Sequence, residues 1–331
     1  MMALLYRDTA VSRGSVGGFY IRRFFRLAPA FYVALALYIL GREFYVSEAT
    51  RVSAFFGHKD AIPGLGSDVP WSSVALNVFF LHGIWPEEAF RILAPAWSLS
   101  LEVQFYLVAP FFVWFLRHKP VVAIVLTFGV NAIGNALFGI HGKEGVITQY
   151  LFPSLLPNRI FLFGLGSACA LTMLESTRQR WVHLAFWWTG MVVLLWWRSA
   201  LVISALTVIV ASGVLLKGSV GNAIRWICGS RPVAILAEWS YGIYLFHMFG
   251  IAIAGHLMFR WLPATATRTE AFFTFAGLSV VISLAIAIVV YYAVERPARE
   301  WGRTVALRFK RKKPVPAVPS SELVPVPVSH E

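Results

Sequence analysis

Residues 272–294 read Phe-Phe-Thr-Phe-Ala-Gly-Leu-Ser-Val-Val-Ile-Ser-Leu-Ala-Ile-Ala-Ile-Val-Val-Tyr-Tyr-Ala-Val, without a charged side chain. A hydrocarbon core about 30 Å thick is crossed by roughly 20 apolar residues in a helix. This run has that length, so it reads as a membrane-spanning helix. The same reading extends outward along the chain. Spanning helices are expected at 24–41, 96–116, 120–140, 151–174, 181–197, 199–216, 234–259 and 272–294. The apolar run from Trp71 to Ile84 is too short to cross and reads as an interfacial or re-entrant helix. The expected fold class is all-α: a polytopic membrane bundle of about eight spanning helices plus one short helix.

Composition agrees. Of 331 residues, 58% are hydrophobic and only 14% charged, against about 25% charged in a typical soluble domain. So little polar surface could not cover a soluble exterior. An ordinary soluble enzyme, a secreted disulfide scaffold and a disordered chain are excluded. The two cysteines, Cys169 in an apolar run and Cys228 in a short basic loop, imply no disulfide framework.

The charges orient the helices. With eight spans, one side receives 1–23 with Arg26, 117–119, 175–180, 217–233 and 295–331. Those segments hold 20 of the 29 Lys and Arg. By the positive-inside rule that side is cytoplasmic, so both termini are expected there, in a multi-pass protein of the inner membrane. The net charge of +13 is spread over membrane-flanking loops and not over one folded face, which argues against nucleic acid. Residues 1–305 read as the membrane-embedded domain. Residues 306–331 read as a basic cluster, Lys310 to Lys313, that lies against anionic lipid headgroups, followed by a Pro-rich, extended and disordered cytoplasmic tail.

No internal repeat, phosphate-binding Gly loop, metal-type His/Cys spacing or nucleophile elbow is present. The candidates are therefore polar groups in or beside the spans, where a charge costs about 2.5–3.5 kcal/mol on insertion scales. Glu102 shares a helix face with Trp97, Ser98, Phe105 and Tyr106. It reads as the wall of a site, or as a carboxylate paired with a neighbouring helix. Arg159 falls within an expected span, with Glu102 as an obvious counter-charge. Arg23 and Arg26 are three residues apart on one helix face, a spacing that holds a phosphate by forked hydrogen bonds. It is also the ordinary arginine flank of a helix end. Ser240, Tyr244 and His247 form a polar stripe beside Tyr241, suited to lining a cavity or to bonding a neighbouring helix. Glu295-Arg296-Pro297 reads as a boundary where proline stops the last span.

Taken together, these segments resemble the acyltransferase-3 family, bacterial integral-membrane O-acyltransferases that modify surface glycans. The matching pieces are Phe19-Tyr-Ile-Arg-Arg-Phe-Phe-Arg-Leu-Ala-Pro29, Trp97-Ser-Leu-Ser-Leu-Glu-Val-Gln-Phe-Tyr106, Arg159 ahead of Phe161-Leu-Phe-Gly164, Ser240-Tyr-Gly-Ile-Tyr-Leu-Phe-His247 and Glu295-Arg-Pro297. They fall in the family's order. The resemblance implies an acyl-CoA donor engaged by Arg23 and Arg26, and a glycan or lipid-linked sugar acceptor on the outer side. Glu102 would line the central cavity on the acceptor side. From the residues themselves, Glu102 and His247 are the catalytic candidates, as the in-membrane groups able to stand in for a base, and Tyr106, Arg159, Tyr241 and Tyr244 are the substrate-binding candidates. The resemblance implies no bound cofactor and no metal. Members of the family open with two further helices that carry the histidine taken as catalytic base, and Met1–Arg7 resembles the loop after them. On this reading 1–331 lacks that base and is inactive until the helices are supplied. The competing readings are a non-catalytic scaffold or glycan/lipid translocation subunit, and an inert membrane fragment.

The eight-span reading makes a direct prediction. Cysteine labels at Ser67 and at Arg91 should both report the outer side, and opposite sides would overturn it.

Overall fold

A computed structural model describes residues 13–57, 68–138, 154–174, 218–263 and 265–308. All regular structure among them is helical. We number the helices α1 (Arg13–Phe56), α2 (Trp71–Val78), α3 (Pro86–Ala89), α4 (Trp97–His118), α5 (Pro120–Phe138), α6 (Leu156–Leu174), α7 (Ser219–Cys228), α8 (Arg231–Trp261), α9 (Arg268–Val290) and α10 (Arg296–Arg308). The spans expected at 181–197 and 199–216, and the tail beyond Arg308, lie outside the described residues.

Among the described residues, four segments are long and apolar enough to cross a membrane: Val16–Phe56, Ala94–Leu116, Arg231–Trp261 and Arg268–Arg308. They contain the runs expected at 24–41, 96–116, 234–259 and 272–294. The runs at 120–140 and 151–174 coincide with α5 and α6, of 19 residues each. The Trp71–Ile84 stretch forms the eight-residue α2 and then tight turns. At 1.5 Å per residue, α2 is about 12 Å long and cannot cross.

Two boundaries differ from the sequence reading. The first helix runs on to Phe56, but its backbone leaves the helical region at Gly41 (φ −103°, ψ 15°). The expected end at residue 41 is thus a kink, tolerated where no side chain resists it. The last helix does not stop at Pro297. It widens into a π-type turn over Tyr291–Glu295 and continues as α10. A proline ring clashes with the carbonyl four residues back in a regular helix. The widened turn just before Pro297 relieves that constraint and lets the chain stay helical.

The core is a packed set of aromatic and aliphatic side chains around Phe31, Tyr38, Leu99, Phe105, Leu245 and Phe246. These come from α1, α4 and α8. A smaller cluster of Leu116, Ala123, Phe161 and Leu165 joins α4, α5 and α6. The opposite face of α9 stays uncovered at Phe272, Phe273, Val280, Val281 and Val289. In water such a surface would be costly; against lipid tails it is the expected exterior.

α8 and α9 form a hairpin with the most extensive helix pairing among the described residues. Its turn is set by a capping box. The Thr267 hydroxyl oxygen accepts from the Glu270 N–H (3.2 Å), and the Glu270 carboxylate accepts from the Thr267 N–H (2.7 Å). Close approach comes from small residues, as in other membrane helix pairs. A Cβ built on Gly250 would lie 2.9 Å from both Cα and N of Ser283. That neighbour is backbone and cannot step aside.

Gly250→Ala should therefore destabilise the hairpin by about 1–3 kcal/mol, the usual cost of overpacking. Thermal unfolding in detergent checks this: a clearly lower midpoint is expected, and an unchanged one would show that the two helices are free to separate.

Candidate active site

α1, α4 and α8 bring a set of polar side chains together inside this apolar bundle. Arg23 on α1 is the most constrained. Only 6% of its surface is exposed. Its guanidinium carbon lies 5.2 Å from the Phe19 ring centre and 5.0 Å from that of Tyr106 on α4. Such contacts are worth about 0.5–2 kcal/mol each, more where water is excluded. The two rings meet edge to face, with centres 5.9 Å apart. Tyr106 is bifunctional: its ring faces the arginine while its hydroxyl donates to the Glu102 carboxylate one turn away. A cation and an anion are thus joined through one aromatic side chain. Among the described residues Arg23 makes no hydrogen bond, so its N–H fork is uncommitted.

α8 supplies the other wall. The Tyr241 hydroxyl donates to the Leu27 carbonyl of α1 (2.8 Å) and lies in the electrostatic field of Glu102, Glu295, Tyr106 and Arg26. Tyr244 donates to the Pro95 carbonyl (2.5 Å). Its single hydrogen is then used, so the Ser98 hydroxyl must donate to the Tyr244 oxygen (2.7 Å). Both tyrosines keep a lone pair that can accept. His247 lies one turn further along α8. Its Nδ1 is 2.7 Å from the Tyr244 carbonyl. A carbonyl only accepts, so Nδ1 carries a hydrogen, and in the neutral ring Nε2 presents the lone pair.

The sequence-derived candidates therefore divide. Arg23, Glu102 and Tyr106 form one contact set. Tyr241 and Tyr244 border it from α8, and Arg26 reaches it electrostatically. Arg159 stands half-buried in the first turn of α6. His247 contacts its own helix and is not in hydrogen-bond contact with Glu102.

Two residues of the site region escaped the sequence reading. Gln104 ties α6 to α4 with both ends of its amide. Its Nε2 donates to the Ser154 carbonyl (2.6 Å), and its Oε1 accepts from the Leu156 N–H (3.0 Å). It thereby fixes the first turn of α6, which carries Arg159. Its signal was legible: an amide in an apolar helix needs a partner as surely as Glu102 does. Glu295, read as a boundary residue, is only 3% exposed. It faces Gly242, where a built Cβ would fall 2.9 Å from its Oε1, and it lies in the field of Arg299 and Arg26. The widened turn keeps it on the bundle side.

The short segment before α4 is pinned from inside. His82 is fully buried, stacked near Phe31 at 6.0 Å, with Nε2 donating to the Ala96 carbonyl (2.9 Å). Burial pushes its pKa below the ordinary histidine value, so it stays neutral. The Ser100 hydroxyl donates to the Phe80 carbonyl (2.7 Å) and accepts from the Gly83 N–H (3.2 Å). These bonds set the start of α4, and with it the height of Ser98 and Glu102. Among the described residues no three His, Cys, Asp or Glu side chains are grouped to hold a metal ion.

Comparison with known proteins identifies the family. Residues 2–292 match the acyltransferase-3 family model, described as an acyltransferase domain. The chain is similar to the peptidoglycan O-acetyltransferase OatA of Listeria monocytogenes serovar 1/2a (strain ATCC BAA-679 / EGD-e). They are 24% identical over 277 residues, which cover 78% of this chain and 36% of that protein. The chain thus spans little more than a third of the relative's length. No solved structure matches it. With the family model covering nearly the whole chain, from the α1 arginines to the π-type turn, the protein belongs to the acyltransferase-3 family of membrane-embedded acyltransferases.

Proposed function

We propose that this protein moves an acyl group, acetyl or similar, from acyl-CoA to a hydroxyl of a surface polysaccharide or other glycan. The observation that carries this reading is Arg23. It is a cation held in place by two aromatic rings, with its hydrogen-bond fork unspent among the described residues, beside a second arginine on the same helix face. A guanidinium held this way is preorganised for the phosphates of a CoA donor. The similarity to a peptidoglycan O-acetyltransferase supports a glycan acceptor.

In this reading the acceptor hydroxyl attacks the thioester carbonyl carbon. The C–O ester bond forms, the C–S bond breaks, and CoA leaves as its thiol. His247 Nε2, the free lone pair of the imidazole, takes the hydroxyl proton and returns it to the departing sulfur. Glu102 orients the acceptor, its own position fixed by Tyr106. Tyr241 and Tyr244 accept hydrogen bonds from sugar hydroxyls through their remaining lone pairs, and Arg159 flanks the acceptor end from α6.

Donor binding tests the proposal without requiring turnover. Arg23→Gln and Arg26→Gln should each weaken binding of a non-hydrolysable acyl-CoA analogue about tenfold to a hundredfold, as expected for loss of a hydrogen bond to a charged group. Glu102→Gln should leave that binding nearly unchanged while lowering acyl transfer to a glycan acceptor. If donor binding is indifferent to both arginines, they serve only as the basic flank of α1. A non-catalytic scaffold or translocation subunit would then be the better reading.

A further inference from the structure

Where α9 becomes α10, the structure holds a second polar feature that the acyl-transfer reading does not use. A cleft of about 300 Å³ opens between α8, the π-type turn and α10. Three guanidiniums face it, from Arg296, Arg299 and Arg303. Their spacing of i, i+3 and i+7 places them along one side of α10. Two carboxylates share the cleft, and each is engaged. Glu300 pairs with the Arg296 Nε (3.1 Å), and Glu238 accepts from the Tyr291 hydroxyl (2.6 Å). The Arg299 guanidinium carbon lies over the Tyr291 ring, 5.0 Å from its centre, and one of its N–H groups engages the Tyr291 hydroxyl. Among the described residues Arg303 has no carboxylate partner.

Two further observations put this cleft at the membrane surface. α10 packs along the first part of α1. Gly302 allows that contact: a built Cβ there would lie 2.5 Å from the Phe25 Cβ. The cleft is therefore at the same end of the bundle as Arg22, Arg23 and Arg26. Trp301 and Tyr292 flank it and are exposed, Trp301 by 63%. The Trp301 ring leans on Phe25 at 4.8 Å. Exposed Trp and Tyr beside arginines mark the headgroup layer, where an amphipathic ring is half in and half out of lipid.

From this geometry we infer that the cleft formed by Arg296, Arg299 and Arg303 binds a phosphate group, presented by the headgroup of an anionic phospholipid. Arg299 and Arg303 supply forked N–H donors that match phosphate oxygens. Glu300 keeps Arg296 in place while the cleft is empty. A basic pocket between helices at the headgroup level is a recurrent way of holding such lipids. The ligand would tether α10 to the bilayer, and so fix the α9–α10 continuation that carries Glu295.

The chemistry could also be met by a soluble phosphate ester, and the test separates the two sources. The full chain is placed in nanodiscs of phosphatidylcholine with a minority of phosphatidylglycerol, and retained lipid is counted by native mass spectrometry. The unmodified chain should retain phosphatidylglycerol selectively. Arg303→Gln, an exposed change, should lower that retention at least fivefold, and Arg299→Gln with Arg303→Gln should abolish it. Arg268→Gln, at the far end of α9, should leave it unchanged. Inorganic pyrophosphate is then titrated onto the chain in pure phosphatidylcholine discs. Arg303-dependent pyrophosphate binding without lipid selectivity would keep the phosphate site but overturn the lipid as its occupant. Equal lipid retention by all variants, with no pyrophosphate binding, would overturn the site. So would an equal loss in Arg268→Gln, which would reduce the effect to net charge.

Discussion

A guanidinium in an apolar bundle stays charged, because its pKa is too high for the interior to neutralise it. The arrangement around Arg23 follows from that constraint. The two aromatic rings of Phe19 and Tyr106 give the cation a partner that does not consume its hydrogen-bond donors. Tyr106 in turn needs an acceptor for its hydroxyl, and Glu102 provides one on the same helix. The carboxylate is stabilised without a direct ion pair, which would have sequestered the fork. One residue, Tyr106, thus links the charge on α1 to the charge on α4.

The rest of the bundle holds these two helices in register. Tyr241 ties α8 to the backbone of α1 at Leu27, and Tyr244 ties it to the turn before α4 at Pro95. Gln104 fixes α6 to α4, and His82 with Ser100 sets where α4 begins. Most of these bonds use a backbone carbonyl as acceptor. This suits a membrane interior: the carbonyl is always present, and each bond satisfies one side chain that would otherwise be buried alone.

The spans were legible because lipid imposes a simple rule on length and polarity. The runs at 96–116, 234–259 and 272–294 match α4, α8 and α9 within a few residues. The shared faces of Arg23 with Arg26, and of Glu102 with Tyr106, follow from helical spacing and were equally readable. What failed was the reading of a proline as a stop, a local rule applied where tertiary context prevailed. Pro297 reads as a stop, but the wider turn before it carries the helix through and keeps Glu295 buried. The stripe of Ser240, Tyr244 and His247 reads as lining a cavity or as bonding a neighbouring helix, a choice that spacing leaves open. In the structure Ser240 and His247 bond to carbonyls of their own helix, while Tyr244 bonds across to Pro95 and Ser98. Periodicity gives the face of a helix and not the choice between local and cross-helix partners. The contact of Arg23 with Phe19 follows the i, i+4 spacing of α1, but its contact with Tyr106 joins residues far apart in sequence, and no spacing rule within either helix contains it.

The contact between α1 and α4 couples Arg23 and Tyr106 energetically. A double-mutant cycle measures this most directly, with unfolding free energies in mixed micelles for Arg23→Gln, Tyr106→Leu and the pair. A coupling of about 0.5–2 kcal/mol is expected, the range of a partly desolvated cation–π contact. Additivity of the two changes within about 0.3–0.5 kcal/mol, the behaviour of independent sites, would contradict it.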